Sequence, residues 1–425
     1  MPPLALPADD AETFVRAHLR HNVTALGADF GLFLVGLSFA SQSTILPAFA
    51  VHLGAPNVVI GAIPAVMTVG WFLPSLFVAA HTESLPRRLP FVLRYTLWER
   101  VPFLLLALAA FVLADRAPAL ALAVLLASLL VIAGVGGLLM PAWMDVVGRA
   151  VPTVFRGRFF AMVTALSSAA ALGGSFLTAW VLGAVRAPIS YGVCFLIAAV
   201  FMGLSYVALL AVREPPGSVV AAPRTLRGYL RGIPGLLRRD RNFSWYLGAR
   251  AFALCGGMGS AFFTVYALGR YDAAPWQVGY FTTLLYAGQI AGTLALGWIA
   301  DRVGHRLVIL LGVAAMLVAN AVALAAPDVL VFSTVFVLAG VAQAAVSVSN
   351  LNILLEFAPT PDERPTYIGL GNTALGPVAF TAPLLAGLVA DGAGFPAVFA
   401  AAVVGGVVAG AILVACVREP RRRAV

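Results

Sequence analysis

Long apolar runs separated by short polar turns repeat along the whole chain. They lie at about residues 27–51, 57–80, 91–114, 118–146, 158–184 and 188–212, then at about 243–268, 275–299, 306–326, 329–356, 365–390 and 395–417. At ~1.5 Å per residue each run is about long enough to cross a ~30 Å hydrocarbon layer as a helix. The pattern predicts an all-α integral membrane protein with twelve transmembrane helices. The fourth and tenth runs are long enough to tilt or to extend beyond the bilayer. Ahead of the first run, Phe14 or Val15, Leu19, Val23 and Leu26 fall near helical spacing with Arg16, Arg20 and His21 between them. That spacing predicts a short amphipathic helix over 12–26 on the membrane face, with a frayed tail as the alternative.

The second half echoes the first. Val212-Arg213-Glu214-Pro215 recurs as Val417-Arg418-Glu419-Pro420, Val151-Pro152-Thr153 as Ala358-Pro359-Thr360, and the turn at 82–88 as the turn at 300–306. A repeat spanning half the chain suits a duplicated helix bundle. The expected organisation is a cytoplasmic tail over 1–26, a six-helix bundle over 27–212, a basic linker over 213–242, a second six-helix bundle over 243–417 and a tail over 418–425. Leu226, Tyr229, Leu230 and Ile233 interleave with Arg224, Arg227 and Arg231, which predicts a basic surface helix in the linker.

Composition supports the membrane reading: 61% of residues are hydrophobic and 11% charged, against ~25% charged in an average soluble domain. All 27 basic residues are arginine, so the formal charge of +9 could suggest nucleic acid. Their distribution argues against that. With twelve spans, 23 arginines fall on one side; Arg116, Arg186 and Arg270 fall on the other, and Arg250 lies within a span. The positive-inside rule then places both termini in the cytoplasm, in a bacterial-type inner membrane. The N-terminal residues carry no basic, apolar, small-residue leader pattern, so no cleaved signal peptide is expected. Cys194, Cys255 and Cys416 each sit in an apolar run and read as packing residues. The five histidines have no metal spacing and no phosphate-binding loop occurs, which argues against an enzyme or an ATP-driven pump. The expected partners are lipid and a small-molecule substrate, with the protein itself a monomer and no cofactor beyond proton coupling.

Charge and glycine cluster most tightly at Gly297-Trp298-Ile299-Ala300-Asp301-Arg302-Val303-Gly304-His305-Arg306, a turn between two apolar runs. A Gly-x-x-x-Asp-Arg-x-Gly-x-Arg turn placed two helices into each half resembles the signature of the major facilitator superfamily of transporters. The first copy is weaker: Glu83 stands for the acid, Ser84 for the arginine and Pro86 for the glycine, while Arg88 aligns with Arg306. The resemblance implies a conformational latch of Gly297, Asp301, Arg302, Gly304, Arg306, Glu83 and Arg88. In it, Asp301 would meet the positive end of the helix after Arg156-Gly157-Arg158 in the outward-facing state. The alternative is a solvated turn that merely obeys the positive-inside rule.

The resemblance also implies a midplane cavity lined by helices one, four, seven and ten. Candidate polar residues for it are Gln42, within the break Ser41-Gln42-Ser43-Thr44, with Gln289, Gln343, Ser347 and Asn350. Gln343, Ser347 and Asn350 are spaced i, i+4 and i+7 and so share a helix face. Hydrogen bonding between helices is their alternative role. Asp29, Glu99, Asp145, Arg250 and Glu356 are candidate proton or gate residues, with Asp29 and Asp145 the best placed for a proton. All five fall near cytoplasmic span ends, which leaves no clear midplane charge and points to a small neutral or partly apolar cargo. Gly369, Gly371, Gly376, Pro377 and Pro383 predict a bend in the eleventh span. The reading is a secondary transporter working by alternating access, or alternatively a transport-incompetent sensor or scaffold on the same fold.

Overall fold

A computed structural model of the chain describes residues 8–83, 85, 87–215, 235–360 and 363–420. Within helices, the side chains of 8–12, 72–73, 75–83, 153–154, 156–157, 161, 365 and 372 are outside the description. The expected linker helix around Arg224, Arg227 and Arg231 and the side chain of Glu83 therefore lie outside the described residues.

All described regular structure is helical. In chain order it comprises α1 (Ala8–Ser38), α2 (Ile45–His52), α3 (Asn57–Glu83), α4 (Leu89–Leu108), α5 (Pro118–Ala150), α6 (Thr153–Ala184) and α7 (Ile189–Leu210). The second half contributes α8 (Arg241–Gly257), α9 (Phe263–Arg270), α10 (Pro275–Val303), α11 (His305–Ala325), α12 (Val329–Phe357), α13 (Arg364–Thr373), α14 (Gly376–Ala393) and α15 (Phe395–Ala415). Among the described residues, ten continuous helical stretches are long and apolar enough to cross a membrane.

The first two of the twelve expected spans are not among these ten. The expected interfacial helix does not stand apart from the first span: both run together in α1, because nothing between Leu26 and Ser38 breaks a helix. The break comes later, over 39–44, where the run of short polar side chains ends the helix, and α2 completes the span. The second expected span is α3, apolar and fully described over Asn57–Trp71. The seventh span is interrupted more mildly, α8 passing through a 3₁₀ stretch at Met258–Phe262 into α9 without leaving a helical path. The predicted bend in the eleventh span falls between α13 and α14.

The chain forms two compact units, one of Met1–Ala40 with Val69–Arg224 and the other of Ser41–Thr68 with Thr225–Val425. Residues 41–68, expected with the first bundle, pack in the second unit, where α2 lies on α9 and α10. Thr44 and Thr282 share a hydrogen bond of 2.7 Å there, and Thr264 donates to the Ser43 carbonyl at 3.0 Å.

Within the first unit α1 packs on α6 and α7, and α4 on α5 and α7, around Leu26, Val92, Val146, Phe159 and Leu209. Within the second, α12 packs on α10 and α11, and α15 on α8 and α11, around Phe243, Tyr246, Ile353, Phe357 and Leu413. One joint is common to both. Gly70 of α3 meets the backbone of α5 near Ala133 and Gly137, and Gly288 of α10 meets α12 near Val337 and Gly340. A Cβ on Gly137 or Gly340 would strike a carbonyl of the facing helix, so these glycines set how closely the helices approach.

Candidate functional site

In the second unit, Gln42, Gln289, Gln343 and Ser347 line one cavity of about 470 Å³. The two helix breaks bring part of this about. Gln42 sits in the break after α1, and Met258, Ser260 and Ala261 reach the cavity from the break after α8. Gln343 and Ser347 enter from α12 and Gln289 from α10, one turn before the tight α10–α12 crossing ends. Discontinuous helices beside a cavity leave backbone polar groups available to a solute. Leu254, Met258 and Met316 give the same wall its apolar portion.

Arg250 of α8 lines this cavity too, and among the described residues it is the only charged group in the lining. It is 9% exposed. Its Nη2 donates to Asn350 Oδ1 at 3.2 Å, which ties the fifth cavity candidate to the site through the guanidinium. Arg250 lies nine residues into the stretch Arg241–Arg270, a depth of ~14 Å at the helical rise. The sequence reading counted it among the ionisable residues near span ends; in the structure it is buried at the cavity wall.

The first unit encloses a different group. Arg100 of α4 donates from Nη2 to Asp29 Oδ1 at 2.8 Å and to Ser205 Oγ at 2.9 Å. Trp143 Nε1 donates to Asp29 Oδ2 at 3.0 Å, and Ser205 Oγ donates to Asp29 Oδ1 at 2.7 Å. Glu99 lies 3.7 Å from Arg100 Nη1, with Thr96 Oγ1 donating to it at 3.4 Å. Asp29, Glu99 and Arg100 are all buried and border a smaller cavity of about 180 Å³. Two carboxyl groups therefore share one guanidinium. The remaining ionisable candidates are paired elsewhere: Asp145 with Arg88 at 2.9 Å and Arg149 at 2.7 Å, and Glu356 with His305 at 3.9 Å.

The turn from α10 to α11 pivots on Gly304, whose φ of 122° favours glycine. A Cβ there would sit 2.5 Å from the Glu419 carboxyl carbon. Glu419 Oε2 accepts from the Arg306 backbone N–H at 3.0 Å, capping the start of α11, while Arg306 Nε and Nη2 donate to the carbonyls of Leu413 and Val414. Burial pushes the Glu419 carboxyl above the ordinary glutamate range, overcoming the hydrogen bond from Arg306. Arg302 stacks on the Trp298 ring at 4.1 Å, Asp301 is exposed and Gly297 is half-buried.

The matching turn in the first unit is capped alike. Glu214 Oε1 and Oε2 accept from the backbone N–H groups of Arg88 and Leu89 at 2.9 and 2.8 Å. Asn22 exchanges two hydrogen bonds with the Arg213 backbone, and Asn242 does so with the Arg418 backbone. The repeated Val-Arg-Glu-Pro segment was legible as a duplication. Its job, a carboxylate carried from the end of the sixth helix to the start of the third, was not.

The sequence of residues 260–425 matches the family described as the Major Facilitator Superfamily. No curated protein sequence matches the chain. Among solved structures, a mutant of the nucleoside transporter NupG is similar with a TM-score of 0.71 at 12% identity, covering 93% of this chain and 99% of that one. A bacterial homolog of the human lysosomal transporter Spinster, inward-facing and occupied, gives 0.67 at 13% identity over 94% and 96% of the two chains. A POT family transporter in complex with a thioalcohol-conjugated peptide gives 0.66 at 14% identity over 92% and 94%. The chain shares its fold with these transporters, and over residues 260–425 its sequence is similar to the Major Facilitator Superfamily.

Proposed function

We propose that the protein is a secondary active transporter that carries a small, partly apolar solute across a bacterial-type inner membrane by alternating access. The observation that carries this reading is the convergence of Gln42, Gln289, Gln343 and Ser347 on one cavity. Its volume falls within the ~300–1,000 Å³ of small-molecule sites. A sensor or scaffold would need no such opening, and a filled interior would have favoured one. The transporters of similar fold add support. Both termini are assigned to the cytoplasm on the 23-to-three arginine split, and Asp301 keeps its proposed part as a latch residue. The Asp29, Glu99 and Arg100 cluster supports proton coupling, since a single bound proton would neutralise two buried carboxylates that share one guanidinium.

The test is a thermal-shift screen of the purified protein against a metabolite and drug library, followed by uptake of the hits into proteoliposomes with and without a pH gradient. Hits should lose their effect in Ser347→Trp, which fills the cavity, and weaken in Gln343→Ala. Hits that ignore both substitutions would remove the cavity from the reading.

A further inference from the structure

Arg250 poses an electrostatic problem that the described residues do not solve. A guanidinium stays charged in any protein environment, and a charge held this deep without a counter-charge is costly. Among the described residues no carboxylate forms an ion pair with it. The acids of neighbouring elements are engaged elsewhere: Asp240 accepts from Phe243 N and Tyr367 Oη, and Glu356 lies beside His305. Tyr246, one turn earlier on α8, is neutral and buried. Asn350 holds Nη2 by its amide oxygen, and Nε has no hydrogen-bond partner. The structure thus presents a buried, oriented guanidinium at the wall of an open cavity with unused donor capacity.

We infer that Arg250 recognises a single carboxylate on the transported solute. This rests on the reading of the second unit's cavity as the solute site and adds the chemical class that the site selects. A carboxylate matches the planar guanidinium fork with two parallel hydrogen bonds. Asn350 is the positioning residue that keeps the fork turned to the cavity. One cation with no second arginine in the lining suits a monoanion better than a doubly charged phosphate. The solute's body then lies against Leu254, Met258 and Met316, and the amides of Gln42, Gln289 and Gln343 take whatever polar groups it carries at other positions. The solute supplies the missing counter-charge, so the loaded cavity is neutral and the empty one is not. Of the neutral or partly apolar cargo expected from the sequence, this keeps the apolar body and replaces the neutrality.

The experiment uses the full chain in neutral maltoside micelles and matched probes: 3-phenylpropionate, hexanoate and indole-3-acetate, the primary amide and amine analogue of each, and inorganic sulfate and phosphate. Thermal stabilisation should follow the carboxylates, not their amides or amines. Arg250→Gln should weaken carboxylate binding about tenfold or more, the scale of losing a charge-assisted hydrogen-bonded pair. Arg250→Lys, which keeps the charge but not the fork, should fall between. Size-exclusion profiles and unliganded melting confirm that both variants fold. The inference is overturned if no carboxylate binds, if amides, amines, sulfate or phosphate bind as well, or if carboxylate binding survives Arg250→Gln. Neutral probes lost in Ser347→Trp would leave the cavity standing as the solute site and remove only the anion. Carboxylates that require Arg250 yet ignore Ser347→Trp would keep the recognition and remove the transport cavity.

Discussion

The first unit buries two carboxyl groups and one guanidinium in mutual contact, whereas the second buries a lone guanidinium beside an open cavity. Around these interiors the frames are alike: a glutamate from the repeated Val-Arg-Glu-Pro caps the third helix of each half, and a glycine crossing joins the second and fourth. The contrast shows where a duplicated bundle diverges. Backbone groups need the same hydrogen bonds in both copies, so the joints persist. Interior charge is free to differ, and it separates two carboxyl groups gathered around one guanidinium from a guanidinium held by an amide.

The largest effect should come from removing the shared cation of the first unit. Arg100→Leu strands Asp29 and Glu99 and should cost about 3–5 kcal/mol, the scale of breaking a buried ion pair. Arg250→Gln strands no acid and should cost far less. Unfolding of both variants in detergent checks this, and equal losses would mean that the two interiors are electrostatically alike.

Next comes the glycine of the second turn, for which the first copy has Pro86. Gly304→Ala forces a Cβ toward Glu419 at a φ of 122° and should cost roughly 1–3 kcal/mol. A neutral result in the same unfolding assay would show that this turn relaxes freely.

The shared caps should give smaller and similar losses. Glu214→Ala and Glu419→Ala should each cost about 1 kcal/mol, the usual worth of a helix cap, and a loss at only one would break the symmetry of the frame. The finest difference is in pH. Burial lifts the Glu419 carboxyl above its unfolded-state value, so between those two values the folded protein holds the extra proton. Ionisation there opposes folding, and stability should fall as pH rises from the ordinary glutamate range through the folded value. Glu419→Gln should remove that part of the slope in a pH series of melting temperatures.

Much of the frame was legible residue by residue. Apolar runs located the helices, and the spacing of Gln343 and Ser347 placed both on one face; both line the cavity. The polar break at 41–44 was visible, but its counterpart at Met258–Phe262 was not, since glycine, serine and phenylalanine there carry no strong stop signal. That Arg250 reaches the cavity wall was not legible, because the rotation of a helix about its axis is set by its packing partners and span boundaries read from sequence are soft by a few residues. The partners of Asp29, namely Ser205, Trp143 and Arg100, lie 71 to 176 positions away in the chain, so no local pattern joins them.

By itself the sequence determined that this is an all-helical membrane protein built from two related halves, because run length, hydropathy and arginine bias are local sums along the chain. The tertiary structure decided which unit residues 41–68 join, which carboxylates cap which helices, and that Arg250 faces the cavity. Those outcomes depend on the rotation of each helix about its axis and on the depth at which it packs. Both are set by side chains far away in sequence, through contacts that no single segment encodes.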